Sequence, residues 1–309
     1  MIVKESLHDY MKVGIVHFMA YPFAAGGDQP VAASVAEVVE DDFFEEIEIT
    51  RINDREERDA VTGLLRTSGV DVGFGAQPWL LKGGYDLNSF DEDRRAQAVA
   101  AMKAAVDQAY EVGARKIGFL SGPRPPQRRD EALALLVDSV VQVGRYARSQ
   151  GDGGLVLSLE TFDDSTDKRA LVGTNRLACE VASEVRKAVP DFGLMVDLSH
   201  LPMQGETPRQ ALSATRDFIN HAHIGTCVIR DLDDPAYGDL HPYFSHPKGE
   251  SGVPEVREFL RCLLDIGYLR EDAAERAVVA FEVQPLGAQR SRAVVADAKR
   301  VLREAWRTL

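Results

Sequence analysis

The chain is poor in cysteine and has no long apolar run, and both shortages restrict the kind of protein it can be. Its three cysteines, Cys179, Cys227 and Cys262, are far apart and form no CxxC spacing, which indicates isolated reduced thiols in a cytoplasmic protein. No segment reaches the roughly 18 consecutive apolar residues of a membrane span. Residues 1–10 are charged and lack the apolar segment of a secretion signal, so no membrane partner is expected.

The chain also lacks any basic tract. It has 36 Lys and Arg residues against 49 Asp and Glu residues, a formal net charge of −13. Because non-specific affinity for nucleic acid depends on Lys and Arg, this balance argues against nucleic acid as a partner. A hydrophobic fraction of 45% and a charged fraction of 28% are typical of a globular protein, and 309 residues suffice for one large barrel or two ordinary domains.

Short β-like runs alternate with helical patterns along the whole chain. Strands are predicted at 12–18, 43–52, 70–76, 116–120, 155–161, 192–200, 218–225 and from about 277. Helices are predicted at 31–39, 53–66, 91–112, 131–147, 174–188, 207–218, 253–266 and 292–307. Apolar strands that alternate with helices indicate a parallel sheet covered by helices.

Eight such units predict an α/β protein built as a single (β/α)8 TIM barrel over residues 11–309, preceded by an N-terminal tail at 1–10. A doubly wound open sheet is the alternative. The first strand–helix junction argues against it, because AGGDQP stands where a dinucleotide-binding fold has GxGxxG.

Four apolar runs in the second half each carry a possible metal ligand at or near their end. The runs are 155–161, 192–200, 218–225 and 278–285, and the residues are Glu160, Asp197, His223 and Glu282, called here the four-residue set. A carboxylate that follows buried apolar residues is costly unless a cation meets it. The strand ends of a barrel meet at one mouth, so the four predict a divalent-metal site there. The pattern alone does not separate His223 from His221, which lies on the same side of its strand.

Three carboxylates and one imidazole suit Mn²⁺, Mg²⁺ or Co²⁺, with Mn²⁺ the first choice and Zn²⁺ also possible. Such an ion acidifies the C–H between a carbonyl and its adjacent hydroxyl and stabilises the enediolate. Glu160 and Glu282 would then be available to remove and return the proton.

The order Glu160, then Asp197-x-x-His200, then His223, then Glu282 resembles the xylose isomerase-like barrel superfamily from Met11 onward. That superfamily contains sugar and sugar-phosphate isomerases and epimerases, keto-inositol dehydratases and apurinic endonucleases. The resemblance implies that the four-residue set binds the metal, with Glu160 and Glu282 as the catalytic acid/base pair. It also implies a substrate-binding role for His200 and for Arg230, the nearest match to an Arg after the seventh-strand His.

The segment 231–251 departs from the superfamily pattern, in which D-x-H is soon followed by a glycine-rich turn. Asp239 and His241 fit the D-x-H, whereas His246 has the expected closeness to Gly249. His241 and His246 therefore both stand as substrate-binding candidates, and second-metal or phosphate contacts are not assigned. Endonuclease relatives use several zinc ions with extra His ligands, but the acidity of this chain argues against that activity.

Two further residues are candidate pocket walls. Trp79 follows the third strand and either stacks on a sugar ring or packs within its loop. His17 ends the first strand and either faces the mouth or is a packed, hydrogen-bonded histidine.

The expected function is a divalent-metal-dependent isomerase or epimerase of a ketose or related polyhydroxy carbonyl compound, so the expected partner is a small sugar. A lyase on the same scaffold is the alternative, either a keto-inositol-type dehydratase or the barrel subunit of a C-glycoside-cleaving enzyme with a small partner subunit. A non-catalytic sugar-binding barrel is a third hypothesis. The resemblance also implies a possible homo-oligomer.

Overall fold

A computed structural model describes residues 5–151 and 154–309, and residues 1–4 of the predicted tail lie outside it. The described chain contains eight strands: β1 Met11–Ile15, β2 Glu46–Ile49, β3 Asp71–Gly75, β4 Lys116–Phe119, β5 Val156–Glu160, β6 Gly193–Asp197, β7 Ile219–Ile224 and β8 Ala277–Phe281. Its helices are α1 Leu7–Tyr10, α2 His17–Ala20, α3 Ala32–Val39, α4 Arg55–Ser68, α5 Gln77–Gly83, α6 Glu92–Glu111, α7 Arg129–Gln150, α8 Asn175–Arg186, α9 Leu201–Gln204, α10 Pro208–Thr215, α11 Val253–Asp265 and α12 Ser291–Arg307.

The strands form one parallel sheet that curves into a nearly closed barrel. Each strand pairs with the next one in the chain from β2 to β8, and β8 pairs with β1. Between β1 and β2 the ring is joined by a bridge from Val16 to Glu48 and by the Glu45 amide, which donates to the Val13 carbonyl at 2.9 Å. The fold is therefore a single (β/α)8 TIM barrel, as predicted, and the open-sheet alternative is wrong.

The helices begin at polar caps and cover the barrel with their apolar faces. Asp54 caps α4 and Asp91 caps α6, each accepting a hydrogen bond from the third backbone amide of its helix. Thr207 and Gln210 form a capping box at the start of α10. No helix in residues 5–151 or 154–309 is both long and apolar enough to cross a lipid bilayer.

β1 and β2 are two of the strands that are shorter than predicted. β1 ends at Ile15, and the chain turns into α2 at His17, inside the predicted strand 12–18. β2 covers only Glu46–Ile49 of the predicted 43–52, although Phe43 and Phe44 before it are buried. Burial alone does not define a strand. Phe43 and Phe44 are buried by side-chain packing but lie outside the hydrogen-bonded part of β2.

The barrel interior is polar, while the opposite side of each strand packs against the helices. Ile47 and Ile49 alternate with Glu46 and Glu48 along β2, and all four are buried. Glu48 bonds to His221 of β7, a strand that is not its neighbour in the sheet, so this contact crosses the interior. The acidic side chains of β2 therefore point inward.

The segment before β1 lies at the N-terminal end of the barrel. Ser6 caps α1, Leu7 is buried, and the His8 ring lies 2.9 Å from the Glu45 carboxylate. The Trp306 indole N–H donates to the Glu5 carbonyl at 3.0 Å. Residues 5–10 are thus held against both the first and the last parts of the barrel.

Candidate metal centre

The four-residue set converges at the carboxyl ends of four neighbouring strands. Glu160 ends β5, Asp197 ends β6, His223 lies in β7, and Glu282 directly follows β8. Their ligating atoms all lie within 4.8 Å of one another, and the least buried of the four, Glu282, is only 6% exposed. Donors on opposite sides of an ion with bonds near 2 Å are about 4 Å apart, so this spacing suits a single cation.

One oxygen of the set lacks a hydrogen bond within the described part of the chain. Glu160 Oε2 accepts a hydrogen bond from Gln77 Nε2 at 2.8 Å, whereas the buried Glu160 Oε1 has no hydrogen-bond partner among the described residues. Glu160 Oε1 lies 3.6 Å from His223 Nδ1, which is itself 2.7 Å from Glu282 Oε2. A buried, unpaired carboxylate oxygen aimed at other metal-capable atoms is what a site for a cation requires.

Asp197 is oriented by the residue two positions further along the chain. The Ser199 backbone amide donates to Asp197 Oδ1 at 2.8 Å, and the Ser199 hydroxyl donates to Oδ2. Burial raises the pKa of Asp197, and the charge of Glu282 adds to this rise although His200 opposes it. A cation in the set would favour the ionised form of the Asp197 carboxylate.

A second group of buried polar side chains adjoins the set. Asp239 Oδ1 lies 3.0 Å from His200 Nε2 and 2.8 Å from His241 Nε2, and His200 Nδ1 donates to the Thr161 carbonyl at 2.9 Å. Asp197, His200 and His241 also offer ligating atoms within 4.8 Å of one another. Predicted residues His200 and His241 are therefore brought beside the four-residue set.

The charged groups of this second group shift one another's pKa values. Burial acts to lower the pKa of His241, but the carboxylates of Glu282 and Asp239 outweigh it and raise the pKa to about 9. Burial acts in the opposite direction on Asp239, yet His200 and His241 hold its pKa well below the usual value. His241 also has a φ of 45°, a left-handed conformation that is uncommon outside glycine and that tends to persist at functional sites.

Four predicted site residues make their contacts with residues outside the four-residue set. Arg230 is exposed, and its Nε donates to Glu250 at 2.8 Å. His246 contacts Asp234 at 3.7 Å, and Trp79 stacks under the Arg51 guanidinium at 4.7 Å. His17 Nε2 is 2.9 Å from the Ser34 hydroxyl, and burial lowers its pKa to about 4, so the packed histidine weighed from the sequence is what the structure contains.

Several polar residues around the set were not selected from the sequence: Glu48, Gln77, Lys116 and Ser199. A signal for Glu48 was present in the alternation of EIEI, but the alternation does not say which face is the barrel interior. Gln77 lies in the first turn of α5, a helix that was not among those predicted from the sequence.

The family model described as xylose isomerase-like TIM barrel matches residues 35–304, so this chain belongs to that family. No curated protein is similar enough in sequence to match the chain. A solved L-ribulose 3-epimerase is similar in structure, with a TM-score of 0.71, 16% identity and coverage of 96% of each chain.

Two other solved structures illustrate the range of this likeness. A 3-keto-D-glucoside 4-epimerase from E. coli has a TM-score of 0.66 and 17% identity, covering 94% of this chain and 98% of that one. An AP endonuclease, family 2, from Brucella melitensis has a TM-score of 0.65 and 14% identity, covering 93% and 97%. At these identities the likeness establishes the fold, and the same fold accompanies different activities.

Proposed function

We propose that this protein is a divalent-metal-dependent isomerase or epimerase of a ketose or related polyhydroxy carbonyl compound. The observation that carries the proposal is the convergence of three buried carboxylates and one imidazole within 4.8 Å, in which Glu160 Oε1 accepts no hydrogen bond from residues 5–151 or 154–309. The names of two similar structures, L-ribulose 3-epimerase and 3-keto-D-glucoside 4-epimerase, support a sugar as the substrate class.

Glu160, Asp197, His223 and Glu282 would hold the ion, and their oxygen-rich composition favours Mn²⁺, with Mg²⁺, Co²⁺ and Zn²⁺ as alternatives. When bound, the ion would supply Lewis-acid polarisation of a carbonyl and its neighbouring hydroxyl. Glu160 and Glu282 extend from β5 and β8, which are not adjacent strands, so their carboxylates approach a small molecule from different sides. One would remove the proton from the acidified carbon and the other would return it.

Burial of the set also serves this chemistry. Asp197 and His200 are fully buried, and Glu160 and His223 are each 1% exposed. A site shielded from bulk water strengthens electrostatic stabilisation of an enediolate and limits proton loss to solvent. We propose that His200 and His241, which lie beside Asp197, bind substrate oxygens.

The test combines metal analysis with isotope exchange. The purified protein, loaded with Mn²⁺, is incubated with a panel of ketoses in D₂O, and deuterium incorporation and new sugars are followed by NMR. Glu160→Gln and Glu282→Gln are each expected to lower exchange by a factor of about 10² or more, the usual size of a general acid or base contribution.

Glu37→Gln is the matched control, because Glu37 is paired with Arg292 outside the site. It should exchange at the wild-type rate. Full activity in both site variants, or no specific binding of any divalent ion by the wild-type protein, would contradict the proposed function.

A lyase on the same site is the second candidate. The His200–Asp239–His241 group favours it, because two imidazoles beside the set can protonate a departing group. Exchange of the C–H with solvent accompanied by release of a leaving group, without sugar interconversion, would select this outcome. We also propose a homo-oligomer and, for the lyase, a small partner subunit. Size-exclusion chromatography of the protein with its co-purifying proteins would test both, because it measures the size of the complex and shows which proteins elute with it.

A further inference from the structure

A row of buried polar side chains crosses the barrel interior behind His223, on the side away from the four-residue set. Glu48 Oε1 lies 2.8 Å from His223 Nε2 and 2.7 Å from His221 Nε2. The other ring nitrogen of His221, Nδ1, lies 3.0 Å from the Lys116 ammonium, which also donates to the Asn220 carbonyl. Glu48, His221 and His223 are each at most 2% exposed, so water does not substitute for these contacts.

The donors and acceptors in this row permit one arrangement of protons. An ammonium only donates, so His221 Nδ1 must accept from Lys116. A ring that accepts a hydrogen bond at Nδ1 carries its N–H on Nε2. His221 Nε2 therefore donates to Glu48, in agreement with their distance of 2.7 Å.

The position of the proton on His223 follows from its contact with Glu48. Glu48 Oε1 lies within hydrogen-bond distance of both Nε2 atoms, and the oxygen of an ionised carboxylate only accepts. His223 Nε2 must consequently carry a proton that it donates to Glu48 across 2.8 Å. Nδ1 is the nitrogen left for a metal, and it is the one that lies 2.7 Å from Glu282 and 3.6 Å from Glu160.

We propose that Glu48, oriented by Lys116 through His221, is a positioning residue that keeps a proton on His223 Nε2 and holds Nδ1 toward the four-residue set. A carboxylate that accepts from the far nitrogen of a ligating histidine orients the ring and makes it a stronger ligand. Glu48 lies in β2 and His223 in β7, so strands on different sides of the barrel cooperate in one ligand.

The backbone is adapted to this row. A Cβ at Gly73 would lie 2.7 Å from Glu48 Cγ and 2.6 Å from Glu46 Oε1. Only a glycine at this position of β3 lets the two acidic side chains of β2 extend inward. The row also reaches a cavity of about 640 Å³ at the N-terminal end of the strands, which Glu46, Lys116 and His221 help to line.

A second cation bound by Glu48, His221 and His223 is the competing interpretation, since these residues also offer ligating atoms within 4.8 Å. The position of Lys116 argues against it, because its ammonium lies 3.0 Å from His221 Nδ1 and would repel a cation bound at His221.

The first experiment is an NMR measurement of the imidazole nitrogens in the wild-type protein loaded with diamagnetic Zn²⁺. Long-range ¹H–¹⁵N correlations should assign the ring proton of His223 to Nε2 and that of His221 to Nε2. A proton on His223 Nδ1, or a metal-type shift at His223 Nε2, would overturn the proposal. No substitution is needed, so the result does not depend on whether a variant folds.

The second experiment measures Zn²⁺ and Mn²⁺ affinity by calorimetry in Glu48→Gln and Glu48→Ala. We expect affinity to fall about 10-fold to 100-fold, as is usual when the partner of a ligating histidine is lost. Glu45→Gln is the matched control, because Glu45 also contacts a histidine, His8, but at the N-terminal end of the barrel. Wild-type affinity in both Glu48 variants, or loss of one of two bound ions, would overturn the proposal.

Lys116→Met tests the far end of the row. Without the ammonium, His221 should show a mixture of Nδ1–H and Nε2–H forms in the NMR spectrum, and an unchanged spectrum would show that Lys116 does not orient His221.

The inference rests on the metal site of the proposed function but not on its substrate. If wild-type protein binds metal and the Glu48 variants bind it equally well, only this inference fails, whereas absence of metal binding by wild type refutes the proposed function itself.

Discussion

Replacing Glu160 by Gln should stabilise the metal-free protein and abolish most of its response to metal. Glu160 Oε2 accepts from Gln77 at 2.8 Å, a contact that the amide oxygen of Gln can keep. Glu160 Oε1 has no hydrogen-bond partner among the described residues, so an NH₂ group in its place loses no hydrogen bond. The substitution therefore removes one negative charge from the four-residue set with little other change.

The magnitude follows from the spacing of the charges. Glu160 lies with Asp197 and Glu282 in a group whose ligating atoms are all within 4.8 Å of one another. Two like charges at that separation repel by about 3 kcal/mol at an effective dielectric constant of about 20. The imidazole of His223 offsets part of this repulsion, so we expect a gain of about 1 to 3 kcal/mol, or about 2 to 6 °C in melting temperature.

Metal should reverse the order of stability. At a free concentration 100 times its Kd, an ion that binds only the folded state stabilises wild type by about 2.7 kcal/mol. The variant, which lacks a ligating charge, should gain little at the same concentration. Calorimetric unfolding with a chelator and then with Mn²⁺ measures both effects.

Glu37→Gln serves as the control for this reversal. Glu37 accepts from Arg292 and from the Tyr21 hydroxyl, so its loss should cost a little stability and leave the metal response intact. If Glu160→Gln instead destabilised the metal-free protein and kept the full wild-type response to metal, the four residues would not form a cation site.

Three other predictions concern residues outside the set. The pKa of His17 is lowered to about 4, so folding favours its neutral form. This preference contributes about 3 kcal/mol of stability above pH 6.5, which is lost as the pH falls toward 4. In urea unfolding, the stability of His17→Gln should therefore depend less steeply on acid pH than that of wild type. Gly73→Ala should destabilise by about 1 to 3 kcal/mol because its Cβ meets Glu46 and Glu48, whereas Gly63→Ala, in α4 with no atom nearby, should be neutral or stabilising in the same urea assay. Arg230→Ala should change kcat/KM by less than about threefold, because the exposed guanidinium pairs with Glu250; a larger loss would show that Arg230 reaches the substrate.

Much of the architecture was evident in the order of residues along the chain. Eight alternations of strand and helix predicted the barrel, and the rule that parallel strands present their carboxyl ends at one mouth predicted that Glu160, Asp197, His223 and Glu282 would meet. Both inferences use local periodicity and chain order, which are properties of the sequence itself. That these four residues bind metal is still a prediction.

The tertiary structure decided which side chains surround that set. His221 and His223 face the same side of β7. Their different positions along the barrel axis place His223 beside Glu282 and His221 beside Lys116. Glu48 is 175 positions from His223, and its direction depends on which face of β2 becomes the interior when the ring closes. Arg230 and His246 extend from a segment outside the eight strands, where they pair with Glu250 and Asp234. Contacts across a barrel depend on strand stagger and closure, and periodicity along one strand carries no information about either.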